Sequence, residues 1–152
     1  MSLCCKVLQA LEGRTLCTAE SCTGGGIGEA VTAIPGSSSV YKGGIISYTN
    51  DVKEKLLGVP ADTLSQFGAV SRQTALAMAR GARQILSADV AVSVTGLAGP
   101  GGDDFGNPVG TVYIGYSDPF RDDVKAYCFS GDRESVRQQA MFAALELILE
   151  YS

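Results

Sequence analysis

Residues Thr18–Gly26 read Thr-Ala-Glu-Ser-Cys-Thr-Gly-Gly-Gly, which places a carboxylate, two nucleophilic side chains and three glycines within nine residues. A short, mostly apolar stretch, Thr15–Ala19, leads into this segment and favours a buried strand. The small-residue segment Gly24–Ile34 follows and favours a helix whose glycines allow a neighbouring backbone or a ligand to approach closely. The pattern predicts a strand that ends where a helix begins. A turn of this kind fits covalent chemistry, phosphate binding or a tight corner.

Strand and helix signals alternate through the first two thirds of the chain, and two adjacent strand signals follow. Strands are predicted at Thr15–Ala19, Gly43–Tyr48, Val90–Thr95, Thr111–Tyr116 and Val124–Phe129. Helices are predicted at Leu3–Leu11, at about Gly24–Ile34, from a Thr49-Asn50 cap to an end at Gly58, from Pro60 to an end at Gly68, at Arg72–Leu86 and at about Arg133–Glu150. This order predicts a single domain over residues 1–152 of the α/β class. We expect a three-layer α/β/α sandwich around a mixed, mainly parallel sheet of about five strands, with an antiparallel hairpin at its end.

The composition excludes several classes of site. The chain contains no histidine, so a histidine triad, a histidine base or a histidine metal site cannot form within it. A formal net charge of -4 disfavours a broad nucleic-acid surface, and no apolar run approaches the roughly 20 residues of a membrane helix. The five cysteines include no Cys-x-x-Cys pair, which is typical of free thiols in a reducing cytoplasm. We expect a cytoplasmic protein without cofactor or metal that binds neither nucleic acid nor membrane.

Ser21 is a candidate nucleophile because a hydroxyl in a strand–helix turn lies near helix N–H groups that can receive an oxyanion. Without histidine, a lysine is the natural base, and Lys53 lies nearest to the carboxyl end of a predicted strand. The ordinary lysine pKa of about 10.4 would have to fall, for which burial is the natural cause. Cys22 is a rival nucleophile. Glu20 could orient Lys53 or Ser21, or it could simply stabilise the positive end of the helix dipole. Alternatively, Ser21 is only a turn or capping serine, and Lys53 is only an exposed lysine in the first turn of a helix.

Other polar positions fall where ligands bind in α/β sheets, at the carboxyl ends of strands. Tyr48 follows the second predicted strand, and Thr95-Gly96 ends the third. Arg133 and Arg137 lie four residues apart at the start of the last helix, where two guanidinium groups suit a phosphate monoester or simply form a solvated face. Asp103-Asp104 lies in a glycine-rich loop, and we interpret the pair as solvated carboxylates rather than a metal site.

Several blocks in register resemble one known family. They are Thr18–Gly25, Pro35-Gly36-Ser37-Ser38, Gly43–Asn50, Gly68-Ala69-Val70-Ser71, Ser93–Pro100 and Phe129–Arg133. In this order the blocks are similar to the CinA C-terminal domain family, and the similarity extends over nearly the whole chain. The stand-alone members of that family are nicotinamide-nucleotide amidases. The resemblance implies hydrolysis of the carboxamide of nicotinamide mononucleotide to nicotinic acid mononucleotide and ammonia.

The resemblance also implies roles for individual residues. It assigns the nucleophile to Ser21 and the general base to Lys53. The expected substrate-binding residues are Glu20, Ser38, Tyr48, Thr95, Gly96, Arg133 and Arg137, of which the two arginines are expected at the nucleotide phosphate. The partner is then a small-molecule nucleotide, and we expect a homodimer on fold analogy alone. The competing hypothesis is a non-catalytic module of the same fold that binds a nucleotide or a protein partner.

Overall fold

The computed structural model describes residues 1–152 as one five-stranded sheet with six α-helices. The strands are β1 (Leu16–Glu20), β2 (Tyr41–Ile46), β3 (Val90–Gly96), β4 (Thr111–Ser117) and β5 (Asp122–Cys128). The helices are α1 (Leu3–Ala10), α2 (Gly26–Thr32), α3 (Asn50–Leu57), α4 (Ala61–Phe67), α5 (Arg72–Leu86) and α6 (Arg133–Tyr151), and a 3-10 turn spans Ser37–Ser39. No helix combines the length and hydropathy that a membrane span requires.

The sheet has the strand order β2-β1-β3-β4-β5. β1 pairs in parallel with β2 and with β3, whereas β4 pairs antiparallel with β3 and with β5. All five residues of β1 are buried, because this strand lies between two neighbours and beneath helices on both faces. The α/β class and the mixed sheet of five strands are confirmed.

Two apolar clusters show that helices cover both faces of the sheet. The larger cluster joins Leu16 of β1 and Val92 of β3 to apolar residues of α1, α2 and α6. The smaller cluster joins Cys17 and Ala19 of β1 to residues of α3, α4 and α5, including Met78. Alternate residues of β1 therefore face opposite layers, as the period of a strand requires. The arrangement is the predicted three-layer sandwich.

The bounds of β2 differ from the prediction of Gly43–Tyr48. The strand begins at Tyr41, which pairs with Leu16, and the next pair is Cys17 with Gly43. Lys42 is thus an extra, unpaired residue that forms a β-bulge. Because the strand begins at Tyr41, Gly43 and Gly44 lie in its middle rather than at its start. The strand ends at Ile46, so Ser47 and Tyr48 lie beyond it with carbonyls free to accept other hydrogen bonds.

The turn after β1 also differs from the prediction. Glu20 belongs to the strand rather than to the turn, and α2 begins at Gly26 instead of Gly24. Gly24 and Gly25 have φ angles of 58° and 101°, in the left-handed region that interrupts a helix and favours glycine. The sequence pattern therefore located the junction correctly but placed the start of the helix two residues early.

Gly81 lies where α5 packs closely against the end of α3. A Cβ at Gly81 would lie 1.9 Å from the Leu57 carbonyl oxygen, so one backbone must move to admit a side chain. In an unconstrained helix, Gly→Ala stabilises by about 0.5–1 kcal/mol. We expect Gly81→Ala to have the opposite sign here and to lower the free energy of unfolding by about 1–3 kcal/mol in urea titrations.

Gln84→Ala is the matched control, since Gln84 is exposed on the same helix. It should change the free energy of unfolding by less than about 0.5 kcal/mol. A Gly81→Ala variant that is more stable than the parent would contradict the described packing.

Candidate active site

The carboxyl ends of three strands meet at one edge of the sheet and open a pocket there. Ser21 directly follows β1, Tyr48 follows β2, and Thr95-Gly96 ends β3. Because these strands are parallel, their ends lie side by side, as expected for a ligand site in such a sheet. The pocket has a volume of about 330 Å³. Its lining includes seven residues that the sequence singled out, namely Ser21, Cys22, Tyr48, Lys53, Thr95, Gly96 and Arg133.

Lys53 and Ser21 are in contact at the base of this pocket. The Lys53 Nζ lies 3.0 Å from the Ser21 Oγ, and both residues are buried. The amine also donates to the Ser47 carbonyl at 2.7 Å and approaches the Tyr48 carbonyl at 3.4 Å. A neutral amine has two N–H groups and one lone pair, so two carbonyls and one serine O–H match its bonding capacity. The geometry places a base within reach of the serine proton.

The local sequence explains why Lys53 points inward. Thr49 caps α3 by accepting a hydrogen bond from the Val52 N–H, and Lys53 follows one residue later in the first turn. Its side chain is 1% exposed. This burial lowers the pKa of Lys53 from 10.5 to about 8, although the nearby Cys22 opposes the shift. A substantial fraction of the amine is therefore neutral near pH 8.

Cys22 lines the same pocket but fits the role of nucleophile poorly. Burial raises the pKa of its thiol to about 11, an effect that Arg137 and Lys53 offset only in part. The thiolate is the reactive form of cysteine, so this thiol is weakly reactive at neutral pH. The hydrogen bond of Lys53 goes to Ser21. The structure thus favours Ser21 over Cys22.

Glu20 is buried behind the turn and does not line the pocket. Its carboxylate accepts the N–H of Ile27 at 2.9 Å, the N–H of Gly28 at 3.1 Å and the hydroxyl of Thr23 at 2.7 Å. A fourth, longer contact comes from the Thr18 hydroxyl at 3.4 Å. These bonds satisfy a buried charge at the N-terminus of α2. The structure thus places the Glu20 carboxylate at the N-terminus of α2, outside the pocket where its substrate-binding role was expected.

The hydrogen bonds of the turn decide which amides remain available. The Ser21 N–H donates to the Val94 carbonyl at 2.9 Å, and the Gly24 N–H donates to the Ser21 carbonyl at 3.1 Å. In the first turn of α2, the N–H of Gly26 donates to the Thr23 carbonyl, and those of Ile27 and Gly28 donate to Glu20. The N–H groups of Cys22, Thr23 and Gly25 have no acceptor within the chain. Cys22 lines the pocket, whereas Thr23 is fully buried and lies outside it, so the Cys22 amide rather than the helix N–H groups that the sequence suggested is available to an oxyanion.

Thr95, Gly96, Tyr48 and Arg133 form the wall and mouth of the pocket. The Thr95 hydroxyl donates to the Ala69 carbonyl at 2.8 Å, which leaves its oxygen lone pairs free. A Cβ at Gly96 would lie 2.6 Å from a Val112 methyl, so glycine permits the close approach of β4. Arg133 is exposed and donates to the Gly99 carbonyl at 2.6 Å and to the Tyr48 hydroxyl at 3.0 Å. Its guanidinium is the cationic group at the mouth of the pocket.

Two other predicted site residues lie outside the pocket. Ser38 is exposed on the 3-10 turn. Arg137 is half-buried, and its Nε and Nη2 atoms donate to the carbonyls of Cys22 at 3.0 Å and Thr23 at 3.3 Å. The guanidinium of Arg137 is thus directed at the turn backbone and not at the pocket, so only Arg133 remains positioned for the expected phosphate contact.

The loop after β3 supplies pocket residues that the sequence reasoning did not name. Leu97, Ala98, Gly99 and Gly101 line one side of the pocket. Asp103 accepts hydrogen bonds from Phe105 and Asn107, and Asn107 also donates to the Val70 carbonyl at 3.1 Å. Asp103 therefore organises its own loop. The glycine-rich composition marked the loop but gave no sign of which residues face the pocket.

A family model described as the CinA C-terminal domain matches residues 2–152 of this chain. The chain belongs to the CinA C-terminal domain family. Members with solved structures are also similar across the whole fold. The competence damage-inducible protein A of Klebsiella pneumoniae superposes with a TM-score of 0.95 at 36% identity, covering 97% of this chain and 93% of that protein. CihA of Agrobacterium tumefaciens has a TM-score of 0.90 at 42% identity, covering 97% and 92%.

The proteins that are similar in sequence to this chain have two different lengths. A putative competence-damage inducible protein of Desulforamulus reducens is 50% identical over 135 residues, which cover 89% of this chain but 33% of that protein. The chain thus spans about a third of the length of such CinA relatives. The nicotinamide-nucleotide amidohydrolase PncC of Pseudomonas putida is 47% identical over 133 residues, which cover 88% of this chain and 83% of that protein.

The burial of Lys53 predicts a pH-dependent stability. The pKa in the folded chain, about 8, lies below the unfolded value of 10.5, so between these values the unfolded chain binds more protons and stability rises with pH. The penalty is fully present below pH 8 and amounts to about 3 kcal/mol. We expect the stability advantage of Lys53→Met over the parent to shrink by about this amount between pH 7 and pH 10.5, measured by urea unfolding at several pH values.

Lys55→Met serves as the control on the same helix, because the Lys55 side chain is 73% exposed and pairs only with Asp51 at the surface. It should change the free energy of unfolding at pH 7 by less than about 1 kcal/mol. If the difference between Lys53→Met and the parent does not vary with pH, Lys53 is not buried as described.

Proposed function

We propose that this chain is an amidohydrolase that converts nicotinamide mononucleotide to nicotinic acid mononucleotide and ammonia. The observation that carries the proposal is the buried contact of 3.0 Å between Lys53 Nζ and Ser21 Oγ at the base of the pocket. The similarity to the amidohydrolase PncC, which extends over most of both chains, supports the choice of substrate.

In the proposed first step, the Ser21 Oγ attacks the carboxamide carbon while its proton passes to the neutral Lys53 amine. The carbonyl oxygen of the substrate becomes an oxyanion, for which the free N–H group of Cys22, a residue that lines the pocket, is the proposed donor. When the tetrahedral intermediate collapses, the C–N bond breaks and Lys53 returns the proton to the leaving ammonia. Serine is left as an ester of the nicotinate group.

In the second step, water attacks the ester carbon and Lys53 accepts its proton. The C–O bond to Ser21 then breaks, the serine oxygen regains the proton, and the carboxylate product leaves. Lys53 thus serves as base and as acid in turn, which suits a group whose pKa of about 8 lies near neutral pH. Ser47 and Tyr48 hold the amine through their carbonyls during both steps.

Tyr48, Thr95, Gly96 and Arg133 are the proposed binding residues. We assign the phosphate to Arg133, because its exposed guanidinium lies at the mouth of the pocket and already donates to the Tyr48 hydroxyl. The Thr95 oxygen, buried at the end of β3, is a candidate acceptor for the substrate amide.

The reaction assignment is tested by ammonia release from nicotinamide mononucleotide. Ser21→Ala should lower kcat by at least about 10³-fold, since it removes the attacking atom. Lys53→Met should cause a comparable loss because no other base contacts the serine. For the parent chain, kcat/KM should rise with pH to a plateau above about 8, as Lys53 loses its proton.

Cys22→Ala is the matched control within the same pocket and should keep kcat within about tenfold of the parent. Full activity in Ser21→Ala together with loss in Cys22→Ala would transfer the nucleophile to the cysteine. A parent chain that binds the nucleotide but releases no ammonia would favour a non-catalytic binding module instead.

The phosphate assignment is tested with Arg133→Met. A charge-assisted hydrogen bond is worth about 1.5–3 kcal/mol, so KM for the mononucleotide should rise by about 10–100-fold. KM for nicotinamide riboside, which lacks the phosphate, should change by less than about threefold. Equal increases for both substrates would show that Arg133 does not bind the phosphate.

A further inference from the structure

Glu20 links the two ends of the short segment that carries Ser21. Glu20 directly precedes the serine, and its buried carboxylate accepts the hydroxyl of Thr23 at 2.7 Å and two N–H groups in the first turn of α2 at 2.9 Å and 3.1 Å. The candidate nucleophile thus lies between two residues whose side chains are bonded to each other. We propose that Glu20 is a positioning residue that holds the Ser21 hydroxyl within reach of Lys53. This inference rests on the proposed function and extends it.

The contact between Ser21 and Lys53 joins two separate elements of the fold. Ser21 follows β1, whereas Lys53 lies in α3. The lysine amine is held on its own side by the carbonyls of Ser47 and Tyr48, at 2.7 Å and 3.4 Å. The distance of 3.0 Å between the amine and the serine oxygen therefore depends on how firmly the serine is held. A displacement of about 1 Å at such a contact can lower a rate by about 10²-fold.

The bond between Glu20 and Thr23 holds the segment in one conformation because both side chains are buried. Thr23 is 0% exposed and Glu20 is 2% exposed, so bulk water cannot replace either partner. A buried hydroxyl or carboxylate without a partner is strongly unfavourable. Backbone hydrogen bonds at Ser21 and Gly24 also support the turn, and Arg137 donates to two of its carbonyls. The bonds of Glu20 connect the residue before the serine to residues after it, and the bond to Thr23 is the shortest of them.

Glu20 acts on the serine through these bonds rather than through its charge. The carboxylate lies outside the pocket and forms no ion pair. The charge is stabilised instead by N–H and O–H donors at the positive end of α2. The lowered pKa of Lys53 comes from its burial, which Cys22 opposes. Loss of the bond to Thr23 should therefore displace the serine and leave the pKa of Lys53 unchanged.

The test compares Thr23→Val and Thr23→Ser with the parent chain. Thr23→Val removes the hydroxyl and keeps the volume of the side chain, so we expect kcat for ammonia release from nicotinamide mononucleotide to fall about 10–100-fold. KM should stay within about threefold of the parental value, since Thr23 does not line the pocket. The rise of kcat/KM with pH should keep its midpoint at about 8, because the pKa of Lys53 does not change. Thr23→Ser keeps the hydroxyl and should restore kcat to within about threefold of the parent.

Thr18→Val is the matched control on the same carboxylate. Thr18 is also fully buried, and its hydroxyl contacts Glu20 at 3.4 Å and Tyr41 at 2.8 Å, but it lies within β1 and not in the turn. This variant should be less stable in urea and should keep kcat within about threefold of the parent. Glu20→Gln tests the charge, and its kcat should fall at least as far as that of Thr23→Val with no change in the pH midpoint. A midpoint below that of the parent would show that the charge acts on Lys53 and would contradict the inference.

A second readout does not depend on the nucleotide. A fluorophosphonate reacts with an activated serine, so its labelling rate at Ser21 should fall in Thr23→Val and recover in Thr23→Ser. If the parent releases no ammonia but shows this pattern of labelling, the inference stands and the proposed substrate falls. A parent that is neither labelled nor active would overturn both. Parental rates of labelling or of ammonia release in Thr23→Val would overturn the inference, as would a rise in KM alone or an equal loss of kcat in Thr18→Val.

Discussion

The structure depends on a buried carboxylate at the end of its central strand. Glu20 is the last residue of β1, and its oxygens accept the first free N–H groups of α2 and the Thr23 hydroxyl. A carboxylate buried without such donors would be strongly unfavourable, and a helix N-terminus without an acceptor would leave N–H groups unsatisfied. Each feature therefore compensates the other. Because this bond fixes where α2 begins, it also fixes the short turn that presents Ser21 and leaves the amides of Cys22 and Thr23 free.

The absence of histidine leads to a second dependence, between burial and catalysis. A lysine in water is almost fully protonated at neutral pH and cannot accept a proton from serine. In this fold Lys53 is buried, which lowers its pKa to about 8, and its amine donates to two backbone carbonyls. The carbonyls become available because β2 ends at Ile46 and the chain turns before α3. The same burial that lowers the pKa of the Lys53 amine raises the pKa of the Cys22 thiol, so one environment favours the proposed base and disfavours the rival nucleophile.

Sequence patterns predicted the layers of the fold because those depend on the periodicity of apolar residues. The junction at Ser21 and the pairing of strand ends followed from the same patterns. The start of β2 was missed because it depends on a bulge at Lys42, which is set by pairing with β1 and leaves no local signal. The backbone contacts of Glu20 and Arg137 could not be predicted from the sequence for a related reason. A carboxylate or a guanidinium beside an active-site turn has the same local sequence whether it meets a ligand or the backbone, and only the fold shows which.

Arg133 and Arg137 differ in what they contact, although they lie only one helical turn apart on α6. The two residues share a face of α6, and both were expected at a phosphate. Arg133 lies at the first position of the helix, where it extends beyond the sheet edge to the pocket mouth and is exposed. Arg137 lies one turn deeper, where the nearest acceptors are the carbonyls of the catalytic turn. Arg133 lines the pocket in which the proposed substrate would bind, whereas Arg137 is already bonded to backbone carbonyls. The position of each arginine along α6, rather than its residue type, therefore determines whether its guanidinium faces the pocket or the backbone of the turn.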